Sequence, residues 1–266
     1  MEAAISKLRN GYRIWVTRPL GQCENLCRLI ENAGGKAIQF PVIEIVPVRQ
    51  QRALAELCQE LQTSHLIIFV SRNAVDLADS AVPEFFKIIA GKQIMAIGEG
   101  TRTKLQERGI SNVICPDSGI GSEALLEQEQ LRPDVLAGKS ILVVRGIGGR
   151  DKLAETLGQA GIAINYLEVY ARRQPEMSKK NLENVWQDTP PDAIVVTSVE
   201  GLHNLVNMTP AARMEKLLQT PLVLMSKRIQ SVAQSLGFTG GSAVATKAAD
   251  DDLLQATISI FENGTV

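Results

Sequence analysis

Short continuous apolar runs alternate along this chain with segments whose apolar positions recur every three or four residues. Leu66-Ile67-Ile68-Phe69-Val70 and Ala193-Ile194-Val195-Val196 are runs of the first kind, and strands buried on both faces read this way. Cys23 to Ala33 and Leu153 to Ala160 are segments of the second kind, and each closes on a glycine suited to a helix C-terminus, Gly34 or Gly161. The pattern predicts strands near 12–17, 36–46, 65–70, 93–97, 112–115, 140–145, 162–170, 193–197, 221–225 and 242–246. Alternating β and α units of this length give parallel sheets covered by helices on both faces, and two five-strand sheets use all ten strands.

Two stretches exceed that plan. Lys36 to Arg49 reads as extended for fourteen residues and contains Pro41 and Pro47, where a central strand needs a donor. Ile162 to Arg173 is also long. Each is read as a strand that runs on into a connector between lobes. The chain then divides into a discontinuous domain of residues 1–40 plus 174–266 and an inserted domain of 47–166, with linkers at about 41–46 and 167–173. Periodicity alone still allows two consecutive domains split near Leu131-Arg132-Pro133-Asp134.

The sequence also repeats itself. Val16 to Gly21 aligns with Val143 to Gly148 at an offset of 127, and Leu66 to Ser71 aligns with Ala193 to Ser198 at the same offset. The register then slips by one, placing Gly98 over Ser226 and Gly109 over Gly237 at 128. Four matched blocks in one order argue for duplication of a strand-helix plan, and so for two lobes with a cleft.

Composition narrows the class. At 266 residues and 28.9 kDa, with 45 % hydrophobic residues, the chain has the length for about two domains and the apolar content for two cores. No apolar run approaches the roughly 18 residues of a membrane helix. The opening Met1-Glu2-Ala3-Ala4-Ile5-Ser6-Lys7 lacks the form of a secretory signal, so a cytoplasmic protein is expected. Cys23, Cys27, Cys58 and Cys115 are expected to be reduced structural thiols, and no metal site is expected, because neither His65 nor His203 shares a segment with a cysteine pair. A net charge of −1 and 4 % aromatic content argue against nucleic acid as a partner.

In open parallel sheets, ligands bind beyond the carboxyl ends of the strands, where helix N-termini present free N–H groups. Those ends carry Thr17-Arg18-Pro19, Ser71-Arg72-Asn73, Gly98 to Arg102 with Thr101, Arg145-Gly146-Ile147-Gly148-Gly149-Arg150, Thr197-Ser198 and Ser226-Lys227-Arg228. There is no carboxylate pair, Cys-His or Ser-His arrangement for acid-base or nucleophilic work. Donors without a nucleophile suggest that a polyanion is held. Serines and threonines at such turns also cap helices, but six arginines (Arg18, Arg72, Arg102, Arg145, Arg150 and Arg228) are harder to explain by capping and suit carboxylate or phosphate. The Gly146-Ile147-Gly148-Gly149 run imitates a dinucleotide fingerprint, with Glu168 downstream, yet Asp151 stands where the third glycine belongs. The strand ends also lack the clustered acids of phosphoacceptor domains and the aromatic residues that sandwich a flavin. Glu44, Glu168 and Tyr170 lie in the presumed connectors; Tyr170 either packs there or reaches a ligand.

Taken together, these residues resemble the uroporphyrinogen-III synthase family over nearly the whole chain. The resemblance rests on Thr17-Arg18-Pro19, Phe40-Pro41-Val42-Ile43-Glu44, Ala96-Ile97-Gly98 with Thr101, the glycine-rich turn Arg145 to Arg150, Glu168-Val169-Tyr170, Val196-Thr197-Ser198 and Ser226-Lys227-Arg228, in that order. It implies two flavodoxin-like parallel-sheet α/β domains joined by a two-stranded linker. It further implies a cofactor-free lyase that takes linear hydroxymethylbilane, expels its hydroxyl as water and closes the macrocycle with the last pyrrole ring inverted. The substrate's carboxylates would lie in the cleft, held by backbone N–H groups and small polar side chains. Tyr170 matches the tyrosine that assists departure of the hydroxyl. Candidate substrate-binding residues are Thr17, Arg18, Ser71, Arg72, Asn73, Gly98, Thr101, Arg145, Gly146, Gly148, Ser198, Ser226 and Arg228. Some family members carry a threonine pair where this chain has Lys227-Arg228-Ile229, which leaves Ser226 as the nearest hydroxyl.

A monomer is expected, acting on hydroxymethylbilane, with room for transient contact with the preceding pathway enzyme and with no membrane partner. The competing readings are a two-lobed α/β small-molecule-binding protein without catalysis and a nucleotide-sugar transferase with facing Rossmann-like lobes. The missing signal segment weighs against the first, and the second usually needs a longer chain and an acid for the ribose.

Overall fold

The computed structural model describes Leu8 and residues 11–116, 121–148 and 152–262. The chain divides into two compact units, Met1–Glu44 with Arg173–Val266 (unit 1) and Ile45–Arg172 (unit 2). Its strands are β1 (Arg13–Val16), β2 (Lys36–Gln39), β3 (Glu44–Pro47), β4 (Leu66–Phe69), β5 (Gln93–Ala96), β6 (Val113–Ile114), β7 (Ser140–Gly146), β8 (Ala163–Arg173), β9 (Ala193–Val196), β10 (Leu222–Leu224) and β11 (Ser242–Val244). One sheet has the order β11-β10-β9-β1-β2 and the other β3-β8-β7-β4-β5-β6. All four pairings of the first sheet are parallel, as are β7·β8, β4·β7, β4·β5 and β5·β6 of the second.

The expectation of ten strands in two sheets of five is corrected to eleven described strands in sheets of five and six. The extra strand comes from the stretch expected at 36–46, which breaks in two. Pro41 has no N–H to give a ladder, and around it Phe40 N bonds Val16 O and Val42 N bonds Thr17 O. After this break the chain resumes as β3 beside β8, where Val48 N donates to Val169 O at 3.1 Å.

Period-2 alternation explains the two-sided cores. In unit 2, Ile67, Phe69, Ile94, Ala96, Leu142 and Val144 pack with Leu57, Leu61, Ala74, Val75 and Ala78 of the helices Leu54–Thr63 and Arg72–Ala81. Their neighbours Leu66, Ile68, Met95, Ile141 and Val143 join a second cluster with Leu125, Leu131, Leu136, Leu153 and Leu157. In unit 1, Ile14, Val16, Val195 and Val223 meet Leu26 and Ile30 of the helix Glu24–Asn32 and Leu253, Ala256 and Ile260 of the helix Asp250–Glu262. Trp15 stacks on Phe40 at 4.2 Å and meets Trp186 edge-on at 4.8 Å, while its indole N–H donates to Thr189 O at 2.8 Å. Such aromatic pairs add about 1 kcal/mol each beyond the area they bury.

The duplication appears in the strands themselves. β1 and β2 correspond to β7 and β8, and β4, β5 and β6 correspond to β9, β10 and β11, so both sheets share one strand order apart from the added β3. Each sheet nevertheless combines the first two strands of one copy with the last three of the other.

Candidate functional site

In unit 2, four strands deliver the candidate residues. β4 ends at Phe69, and Ser71 caps the helix Arg72–Ala81, its Oγ accepting from Ala74 N at 3.1 Å. The same Oγ lies 3.1 Å from the Tyr170 hydroxyl. Tyr170 owes its place to a bulge: Arg145 pairs with Glu168, but the next residue, Gly146, pairs with Tyr170. The extra residue, Val169, shifts the register and re-aims the tyrosine. Tyr170 is 5 % exposed, and its carbonyl accepts from Ile147 N at 2.8 Å.

Beyond β5, Gly98 occupies the N-cap of the helix Glu99–Glu107, and because glycine has no side chain the first N–H groups of that helix have no side-chain cap. Arg72 is exposed, and its stem lies over Gly100, where an added Cβ would sit 3.5 Å from Arg72 Cδ. Thr101 is buried within the first turn, and Asn73 is half-buried at the start of its helix. After β7 the chain turns through Gly148 at φ +73°, a conformation that favours glycine.

Arg145 does not join this rim as an open cation. It is 5 % exposed, its guanidinium lies 4.7 Å over the Tyr166 ring, and its Nε donates to Gly146 O at 3.2 Å. Arg102 pairs with Glu99 at 2.5 Å. Gly149, Arg150 and Asp151 lie outside the described residues.

In unit 1, Thr17 is buried and its hydroxyl donates to Val195 O at 2.7 Å, which ties β1 to β9. Arg18 is engaged by Asp250 at 2.5 Å, and the other oxygen of that carboxylate accepts from Asn25 Nδ2 at 2.7 Å. Asp250 heads the helix Asp250–Glu262, where the helix dipole also favours a carboxylate. Ser198 caps the helix Val199–Met208 through Gly201 N at 2.9 Å. Ser226 holds the N-cap of the helix Lys227–Ser235 without a side-chain capping bond, and Lys227 and Arg228 are exposed beside it.

The two units therefore repeat one arrangement of donors. The serine-capped helices begin at the equivalent residues Ser71 and Ser198, and the uncapped ones at the equivalent residues Gly98 and Ser226. An uncapped N-terminus with a neighbouring arginine suits a carboxylate. Among the candidate arginines that are described, Arg72 and Arg228 have no ion-pair partner among the described residues.

One exposed apolar residue in each unit was missed as a candidate. Leu20 is 66 % exposed and Ile147 is 47 % exposed, each just before a left-handed glycine, Gly21 or Gly148. The repeat already aligned these residues, and that alignment was the available signal.

Other residues singled out in the sequence have structural partners. Glu44 pairs with Arg173 at 2.9 Å, which raises the arginine's pKa. The Glu168 carbonyl accepts from Gln50 Nε2 at 2.8 Å, and His65 Nδ1 accepts from Ser140 N at 3.2 Å. None of the four cysteines forms a disulfide. Among the described residues no cluster of His, Cys, Asp and Glu could hold a metal ion, and no helix is long and apolar enough to cross a membrane. Depressions lined by Gln174, Glu176, Ser178 and Asn207 and by Lys92, Gln106 and Asn112 contain neither Tyr170 nor Ser71.

The chain is similar to known proteins over most of its length. The family model described as uroporphyrinogen-III synthase HemD matches residues 24–255. The uroporphyrinogen-III synthase of Escherichia coli (strain K12) is 31 % identical, with 91 % of this chain and 98 % of that protein covered. The Salmonella typhimurium (strain LT2) enzyme of the same name is also 31 % identical, with the same shares covered. The crystal structure of uroporphyrinogen-III synthetase from Helicobacter pylori 26695 shares the fold at a TM-score of 0.63 and 16 % identity, covering 94 % of this chain and 99 % of that one.

Proposed function

The chain belongs to the uroporphyrinogen-III synthase family, a family of enzymes of tetrapyrrole synthesis, and from that premise we propose how its residues carry out the reaction. The substrate is hydroxymethylbilane and the products are uroporphyrinogen III and water. Water is lost without any change of redox state, so the reaction is a cyclising lyase step that consumes no oxidant or reductant, and in our proposal it uses no cofactor.

The substrate's carboxylates are held by backbone N–H groups and hydroxyls at the uncapped helix starts after Gly98 and Ser226, with Arg72 and Arg228 beside them. The exposed side chains of Leu20 and Ile147 offer apolar contact to pyrrole rings. Tyr170 gives its phenolic proton to the departing hydroxyl, the C–O bond breaks, and the pyrrole nitrogen's electron pair stabilises the cation left behind. The substituted α-carbon of the terminal ring bonds to that carbon to give a spiro-type species, its older bond to the neighbouring methylene breaks to leave a second pyrrole-stabilised cation, and that methylene rebonds at the free α-carbon of the same ring, which emerges inverted. A proton lost from the ring carbons restores the phenol. Most of the rate gain comes from holding the chain bent and from donors aimed at developing charge.

The observation that best supports the role of Tyr170 is its hydroxyl's placement 3.1 Å from Ser71 Oγ at the end of β4. The test is to incubate purified protein with freshly generated hydroxymethylbilane and to resolve the oxidised type I and type III porphyrins by chromatography. Mostly type III is expected from the native chain. Tyr170→Phe should lose about a hundredfold in kcat, the low end for a positioned proton donor. Only type I from folded native protein would overturn the function, and an unchanged Tyr170→Phe would overturn the assignment.

A further inference from the structure

We propose that Gly146 is a positioning residue for Tyr170, because the side chain it lacks is the space the aromatic ring occupies. The inference rests on the reading that Tyr170 meets the leaving hydroxyl.

An added Cβ at Gly146 would stand 2.5 Å from both Cε2 and Cζ of Tyr170 and 3.0 Å from Cδ2. Ordinary van der Waals contact begins at 3.4 Å, so any larger residue drives the ring away by about 1 Å. No backbone requirement explains the glycine, since Gly146 is absent from the positive-φ residues and is an ordinary strand residue. The glycine therefore answers to the ring.

The rest of the tyrosine is fixed from three sides. The bulge sets Tyr170 opposite Gly146, Ile147 N holds its carbonyl at 2.8 Å, and Ser71 Oγ holds its hydroxyl at 3.1 Å. Ser71 is itself held, because its oxygen accepts from Ala74 N as a helix cap. Its hydroxyl hydrogen remains available for donation to the phenol oxygen. In that arrangement the phenolic proton points away from Ser71, free for the leaving group, and the bond from Ser71 supports the phenolate formed after transfer. A ring displaced by about 1 Å loses this alignment, and a misplacement of that size costs a catalytic step up to about a hundredfold.

The experiment is a double-mutant cycle of Gly146→Ala and Tyr170→Phe, reading kcat, KM and the type III to type I ratio, with Gly158→Ala as the substitution control. Gly146→Ala should lose roughly tenfold to a hundredfold in kcat with KM within about threefold, and its type III fraction should fall. The double variant should be no slower than Tyr170→Phe by more than about twofold, since the displaced group is already gone. Full additivity, or Gly146→Ala with native kcat while Tyr170→Phe is impaired, would overturn the inference. Tyr170→Phe with native kcat would instead overturn the reading it rests on. If Gly146→Ala fails to fold, Gly146→Ala/Tyr170→Leu, which vacates the ring, should restore soluble protein with a cooperative melt. Failure to restore it would place the clash elsewhere and reject the proposal.

Discussion

The ion pair between Arg18 and Asp250 separates a structural arginine from a substrate-binding one. Its side chains are 15 % and 19 % exposed, the N–O distance is 2.5 Å, and Asn25 makes a second bond to the same carboxylate at 2.7 Å. For charge centres about 4 Å apart at an effective dielectric constant of about 20 the gross attraction is about 4 kcal/mol, and desolvation and side-chain ordering offset much of it. An exposed pair nets at most about 1 kcal/mol, whereas this mostly buried and doubly bonded one should net about 1–2 kcal/mol. Thermal melts of Arg18→Ala, Asp250→Ala and the double variant should therefore show a coupling of that size, reduced only slightly by 0.5 M salt. Kinetically, Arg18→Ala should raise KM for the bilane by less than Arg72→Ala or Arg228→Ala, since its guanidinium is already occupied. A coupling below about 0.3 kcal/mol, together with a tenfold rise in KM on removing Arg18, would refute the reasoning and return this arginine to the substrate.

A Cβ at Gly240 would lie 2.1 Å from Gln219 O and 2.4 Å from that residue's carbonyl carbon, both backbone atoms, so Gly240→Ala should destabilise by about 3 kcal/mol. Gly158→Ala, at an exposed position of the helix Lys152–Gln159 with nothing within 4 Å, should instead gain about 0.5–1 kcal/mol; equal denaturant midpoints for the two variants would contradict the packing argument. Burial, with neighbouring Cys23 adding to it, pushes the Cys27 thiol from 9.0 up to about 12. The unfolded chain ionises that thiol first, so the stability it contributes is fully present below about pH 9 and is lost progressively toward about pH 12. Urea midpoints measured from pH 8 to 11 should fall more steeply in the native protein than in Cys27→Ala, and parallel curves would dismiss the effect.

The parallel α/β architecture was legible because runs such as Ala193 to Val196 are apolar at every position, which only a strand covered on both faces requires. The break within 36–46 was half legible. Pro41 was noted, but the use of the following residues as an edge strand beside β8 depends on pairing that no local pattern encodes. The strand-end positions of Ser71, Gly98, Ser198 and Ser226 followed from the same alternation. What each does there did not, since a serine that caps and a serine that does not look alike in sequence. Arg145 read as an open cation because its cover, Tyr166, arrives on the neighbouring strand, and Arg18 did so because Asp250 lies 232 residues away. The meeting of Tyr170 with Gly146 was beyond reach for a sharper reason: a one-residue bulge decides it, and without that bulge Val169 would stand opposite Gly146.

The exchange of half-repeats between the two sheets has a consequence during synthesis. Unit 2 is a single stretch of chain and can complete its sheet once Arg172 has emerged, whereas β1 and β2 must wait for β9, β10 and β11. β1 is an interior strand of its sheet, so the waiting pair has one unpaired flank, and two strands alone are marginal in water. A matching partner is meanwhile close at hand, because β4 is the repeat-equivalent of β9 and belongs to the same copy as β1. The nascent chain therefore meets a decoy built from its own duplication, and correct assembly favours early occupation of the β4 flank by β7. A slow refolding phase after dilution from denaturant, shortened when unit 2 is already folded, is the kinetic signature of that choice.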